Sequence, residues 1–244
     1  MNLTPAQWME VGFNLTYLVI ISALVALMTV RLASVDDPTG VLHRIRNGFF
    51  FLALGDTGHV GFRVVALFRG GLESTVSLFG VRVHLVGVGA LATAITVTIL
   101  YLLLLDVWRV RFASRTPLYW ALVAIGVLRL ALLLPPQNDW GAVVPPLAWS
   151  LIRNAPLLVL GVAVAVLFLR EGRRANDRTF VQFGALIVLS YAFYLPVILF
   201  VHAVPAIGVL MVPKTIVYLV MAWLAYVRLF APHGDPLTTR PRSA

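Results

Sequence analysis

The chain has 244 residues, 60% of them hydrophobic and only 12% charged, where a soluble domain carries roughly a quarter charged residues. That surplus of apolar surface excludes a water-soluble globule, and the formal charge of +9, spread over short loops, reads as membrane topology and not as nucleic-acid affinity. The absence of cysteine excludes disulfides, thiolate metal sites and cysteine nucleophiles.

Taken along the chain, the apolar runs predict an all-α polytopic membrane bundle of seven transmembrane helices. The opening MNLTPAQWME has no basic n-region, and the first apolar run is too long for a signal h-region, so it is expected to stay as a span. Span 1 covers 11–31 and carries Asn14 and Tyr17. Span 2 covers 49–68 and carries Asp56, His59 and Arg63. The loop GGLESTVSLFGVRVHL alternates apolar and polar residues around Gly80, the pattern of a short hairpin on the outer surface. Span 3 covers 85–107, span 4 covers 118–135 with Arg129, and span 5 covers 145–169 with Arg153 and Asn154. Span 6 covers 179–203 and span 7 covers 207–230, joined only by VHAVPAI. A merged re-entrant pair is therefore the alternative to seven crossings. Residues 1–230 are expected to form a single transmembrane domain, and the polar, Pro-rich 231–244 a disordered cytoplasmic tail.

Orientation follows from Arg. Loops 1, 3 and 5 and the tail carry Arg44 and Arg46, Arg109, Arg111 and Arg115, Arg170, Arg173, Arg174 and Arg178, then Arg228, Arg240 and Arg242. The opposite loops carry only Arg69 and Arg82. The positive-inside rule places the N-terminus outside and the C-terminus in the cytoplasm. A multi-pass protein of the bacterial plasma membrane is expected.

Ionisable groups within spans are costly and mark sites by default. Asp56, His59 and Arg63 follow i, i+3, i+7 and share a helix face, with Gly55, Gly58 and Gly61 among them to let a neighbouring helix approach. Lys214, the one lysine of the chain, stands behind Pro213 and one turn before Tyr218; the proline marks an expected kink. At 1.5 Å per residue, Arg63, Arg129, Arg153 and Lys214 all fall roughly 8–12 Å below the outer boundary. Asp56 is the one acid of comparable depth. Four cations at one level cannot all face lipid, and one carboxylate cannot neutralise them. An outward-facing wet pocket that accepts an anion satisfies both constraints, with Arg supplying a planar fork for carboxylate or phosphate. His59 would orient Arg63 or relay protons together with Asp56. Tyr191, Tyr194 and Tyr218 are candidate lining residues, as is Trp149 one turn before Arg153.

Three stretches, LALGDTGHVGFR, ATAITVTILYLLLLDVWRVR and VLMVPKTIVYLVM, together resemble a family of bacterial seven-span proteins with LGD-x-x-H-x-x-x-R and P-K-T patterns. That resemblance supports the site residues without implying a reaction. A lysine in the last span and the Tyr191, Tyr194, Pro196 cluster resemble microbial rhodopsins, which would imply retinal on Lys214; the acid expected one turn earlier is Leu210, and mid-span 3 has Thr93, Thr96 and Thr98. The span count and the Asp/His neighbourhood of span 2 resemble the membrane hydrolases related to alkaline ceramidases and adiponectin receptors. That would imply zinc on Asp56, His59 and His202, with Asp56 and His59 catalytic, although their late H-x-x-x-H pair is absent. The leading expectation is a non-enzymatic protein without cofactor. It would bind a small anionic ligand or anionic lipid headgroup through Arg63, Arg129, Arg153, Lys214, Asp56 and His59, with membrane lipid as its other partner.

Overall fold

A computed structural model describes residues 4–78, 80–112, 116–140, 142 and 145–231. Arg115 and the expected tail beyond Ala231 lie outside the described residues.

Seven α-helices make up the described chain: α1 Pro5–Leu32, α2 Val41–Phe68, α3 Leu85–Arg111, α4 Pro117–Leu132, α5 Leu147–Arg174, α6 Arg178–Phe200 and α7 Met211–Ala225. Their starts are written in local chemistry. Thr4 accepts from the Gln7 backbone and Gln7 answers at Thr4, a capping box, with Pro5 at the first helical position. Gly40 opens α2 from the left-handed region at φ 69°, where only glycine is unstrained. Asp177 caps α6 by accepting from the Phe180 backbone.

Five of these helices (α1, α2, α3, α5 and α6) are long and apolar enough to cross a membrane, as is the run Pro205–Phe230 that contains α7. That run opens with a 3-10 segment, Pro205–Leu210, and closes with a π turn, Tyr226–Phe230. Helix α4 has 16 residues, about 24 Å, short of a ~30 Å hydrocarbon layer. It stops at Leu132 rather than at the expected residue 135, because Pro135 and Pro136 cannot continue it. Between α2 and α3, strands β1 Thr75–Leu78 and β2 Val81–His84 pair antiparallel, with Thr75 opposite His84; this is the hairpin read from the alternation.

Consecutive helices pack against one another, α7 closes back onto α1, and α3 also meets α5. Helices α2 and α3 approach most closely. A Cβ on Gly89 would stand 2.7 Å from the His59 Cα, and Thr93 donates to the Gly55 carbonyl at 2.9 Å. Gly58 also faces α3, but Gly61 has open space around it, so only two of the three span-2 glycines serve this contact.

The two ends of the bundle differ. Toward the end that holds the turns 33–40 and 175–177, the interior is apolar: Phe49, Phe168, Phe180, Phe183 and Phe230 are fully buried, and Phe168 meets Phe180 edge-on at 5.2 Å. Polar groups there sit at the periphery. Asp106 of α3 accepts from Arg44, from Arg109 at 2.7 Å and from Tyr119 at 3.0 Å, and Arg111 pairs with Asp177 at 3.0 Å. The opposite end, with the hairpin, the 133–140 segment and the 201–210 turn, surrounds a cavity.

Candidate functional site: a cationic cavity

The cavity measures about 200 Å³ and draws its lining from all seven helices. Every contribution comes from the half of the helix nearest the hairpin end, or from its middle. Helices α1, α3, α5 and α7 begin at that end, while α2, α4 and α6 finish there. Up-down alternation therefore brings together residues far apart in sequence.

Arg129, in the last turn of α4, is 2% exposed. Its Nε donates to the Arg153 carbonyl at 3.2 Å, Nη1 to the Ala94 carbonyl at 2.8 Å and to the Thr98 hydroxyl, and Nη2 to Asn154 Oδ1 at 3.4 Å. Pro156 has no N–H for the helix ladder and crowds the turn before it, the turn whose Arg153 carbonyl receives Arg129. Tyr194 donates to the same Asn154 Oδ1 at 3.2 Å. Asn154 is thus the hinge pin between α4, α5 and α6.

Arg153 is 7% exposed. Its Nη1 donates to Asn138 Oδ1 at 3.2 Å, and its guanidinium lies 4.3 Å from the centre of the Trp140 ring, a cation–π distance. Asn138 is fully buried and ties the loop by donating to the Leu132 and Pro135 carbonyls. The aromatic partner of Arg153 is Trp140 of the preceding loop, which the tight Pro135–Asn138 turn folds inward. Trp149, expected to help line the pocket, is not among the lining residues.

Lys214 lies in the first turn of α7, its ammonium 4.0 Å from the Tyr194 ring centre and 5.7 Å from that of Tyr218. Pro213 stands in that same turn, where a missing N–H costs least. It is the third residue of α7, beside the change from the 3-10 segment Pro205–Leu210 to α-helix.

Asp56 accepts a hydrogen bond from Tyr17 of α1. His59 lines the cavity one turn on, and its Nδ1 is buried without a hydrogen-bond partner. Below them, Tyr101 and Tyr218 join hydroxyls at 3.0 Å, and Tyr191 donates to the Leu157 carbonyl at 2.9 Å. These tyrosines floor the cavity, and the aromatic core lies beneath.

Of the residues singled out in the sequence, Asp56, His59, Arg129, Arg153, Tyr191, Tyr194, Lys214 and Tyr218 all line this one cavity. Arg63 does not. It forms an ion pair with Glu10 of α1, an acid that escaped the sequence reading because span 1 was begun at residue 11, whereas the helix starts at Pro5. His202 stands exposed in the turn after α6, away from Asp56 and His59, and no three metal-type side chains gather among the described residues. Asn138, Trp140 and Ser190 were missed. The signal for the first two was a polar PPQNDW turn set between two apolar runs.

No carboxylate lies within ion-pair distance of Arg129, Arg153 or Lys214 among the described residues. No family model matches the chain, and neither curated proteins nor solved structures give a match. Fold and composition define the class: a multi-pass α-helical membrane protein.

Proposed function

We propose that this chain is a seven-span protein of the bacterial plasma membrane, N-terminus outside. In this reading it takes a small anion, or the charged group of an anionic lipid, into its cavity from the outer face, to sense it or pass it on. One observation carries the reading. Arg129, Arg153 and Lys214 share a cavity with a single carboxylate, Asp56, and none of the three is ion-paired to it. Uncompensated charge in a low-dielectric interior costs several kcal/mol, and an anion drawn from solution removes that cost.

The size of the cavity narrows the guest. Sites for drug-sized molecules span about 300–1,000 Å³, and this one measures about 200 Å³. An ion or a short organic anion fits. A whole lipid could insert only its headgroup. The arginine asymmetry of the loops supports the orientation, in which the hairpin end of the bundle, where the cavity lies, faces outward.

The test is anion binding to the purified, metal-free protein, followed by calorimetry. Affinity should fall steeply as inert salt is raised, and Arg153→Gln or Lys214→Gln should each weaken it by about tenfold or more. Binding that ignores both salt and these substitutions would end the proposal.

A further inference from the structure

The three cations of the cavity are not equivalent. Arg129 already uses all three of its nitrogens on protein acceptors. It also occupies the last turn of α4, where the negative end of a helix favours a cation. Arg153 bonds through Nη1 alone, to Asn138, so its Nε and Nη2 hydrogens keep no acceptor among the described residues. Lys214 has no hydrogen-bond acceptor there either. It stands over the Tyr194 and Tyr218 rings near the start of α7.

The negative side of the balance is short. Asp56 is the one carboxylate in the lining among the described residues. Of the acids nearest in sequence to the lining, Glu10 is held by Arg63, and Asp139 is exposed in its loop and forms no ion pair among the described residues. With Asp56 fully ionised, three cations against one carboxylate still leave two positive charges. A singly charged guest would leave one of them uncompensated.

Resting on the anion-binding reading, we infer that the guest is a small oxyanion of charge −2, held between Arg153 and Lys214, with Arg129 as a positioning residue that fixes the Arg153 backbone and Asn154. The open edge of the Arg153 guanidinium suits two oxygens side by side, and Lys214 supplies a point charge for the second negative group. An inorganic oxyanion and a short dicarboxylate or phosphomonoester share this chemistry. Leu52, Val97 and Leu157 in the lining give a carbon chain an apolar wall.

The experiment uses full-length protein in nanodiscs of zwitterionic lipid, with calorimetric titration of size-matched pairs at equal ionic strength: sulfate against perchlorate, and succinate against butyrate. The dianion of at least one pair should bind about tenfold more tightly or better. Preference in the first pair alone identifies an inorganic guest, and in the second alone an organic one. Lys214→Gln and Arg153→Gln should each bring the dianion-to-monoanion ratio toward one, and Lys214→Arg should keep it. Arg129→Lys should weaken both members of a pair equally and leave the ratio unchanged. Monoanions binding as tightly as their dianion partners would overturn the inference and leave the anion-binding reading standing. Failure of both classes to bind would overturn both. An Arg129→Lys ratio that collapses like that of Lys214→Gln would show Arg129 to be a direct contact.

Discussion

The missing side chain of Gly161 decides how α5 and α6 meet. The Tyr191 ring occupies the space a Cβ would need, and from there its hydroxyl reaches the Leu157 carbonyl. Gly161→Ala should destabilise the protein by about 1–3 kcal/mol through overpacking, seen as a lower unfolding temperature in detergent. Gly12, with nothing within 4 Å of its would-be Cβ, is the control: Gly12→Ala should be neutral or stabilising by up to ~1 kcal/mol. Arg63 gives a sharper test of the site. Because it pairs with Glu10 at a partly exposed position, Arg63→Ala should cost no more than ~1 kcal/mol and leave anion affinity unchanged. A large loss of binding would bring Arg63 back into the site. Residue type and depth sufficed to pick out Arg129, Arg153 and Lys214. They could not tell which cation already had a partner, because that depends on the helix beginning at Pro5 and bringing Glu10 alongside α2.

At the scale of elements, hydropathy placed all seven helices, and alternation around Gly80 placed the hairpin. The edges were set by capping chemistry that hydropathy does not register, such as the Thr4 capping box and the Pro135–Pro136 stop. The 133–140 segment was the least legible piece. Its inward fold depends on Asn138 satisfying two carbonyls and on the Trp140 carbonyl packing against Gly87 of α3. Neither contact has a sequence period. At the opposite end, Asp106 gathers Arg44 of α2, Arg109 of its own helix and Tyr119 of α4. Asp106→Asn should therefore loosen three helices at once and cost about 1–3 kcal/mol. The cavity is remote from this network, so anion affinity should survive wherever the variant remains folded; thermal unfolding and titration on the same sample separate the two effects.

For the whole molecule, the open question of architecture is whether the short α4 crosses the bilayer. Three helices, α3, α4 and α5, separate Ser77 in the hairpin from Asn176 in the α5–α6 turn. The natural chain has no cysteine, so single cysteines report cleanly. Ser77→Cys should react with a membrane-impermeant maleimide on intact cells, and Asn176→Cys should react only after lysis. Equal labelling of the two would mean that α4 does not cross. Reaction of Ser77→Cys only after lysis would remove the outward orientation proposed for the cavity.

The cavity occupies one end of the bundle and rests on an aromatic floor, and this has an electrical consequence. A charge moved through the full membrane potential exchanges about 2.3 kcal/mol per 100 mV. On the proposed reading, a guest that stops above Tyr191 and Tyr218 traverses only the fraction of the field that drops between the hairpin end and the cavity. Occupancy should therefore vary weakly with voltage, whereas carrying the same guest past the phenylalanines would be strongly electrogenic. Current recorded from vesicles holding the protein would distinguish a receptor that merely fills from a carrier that empties on the far side.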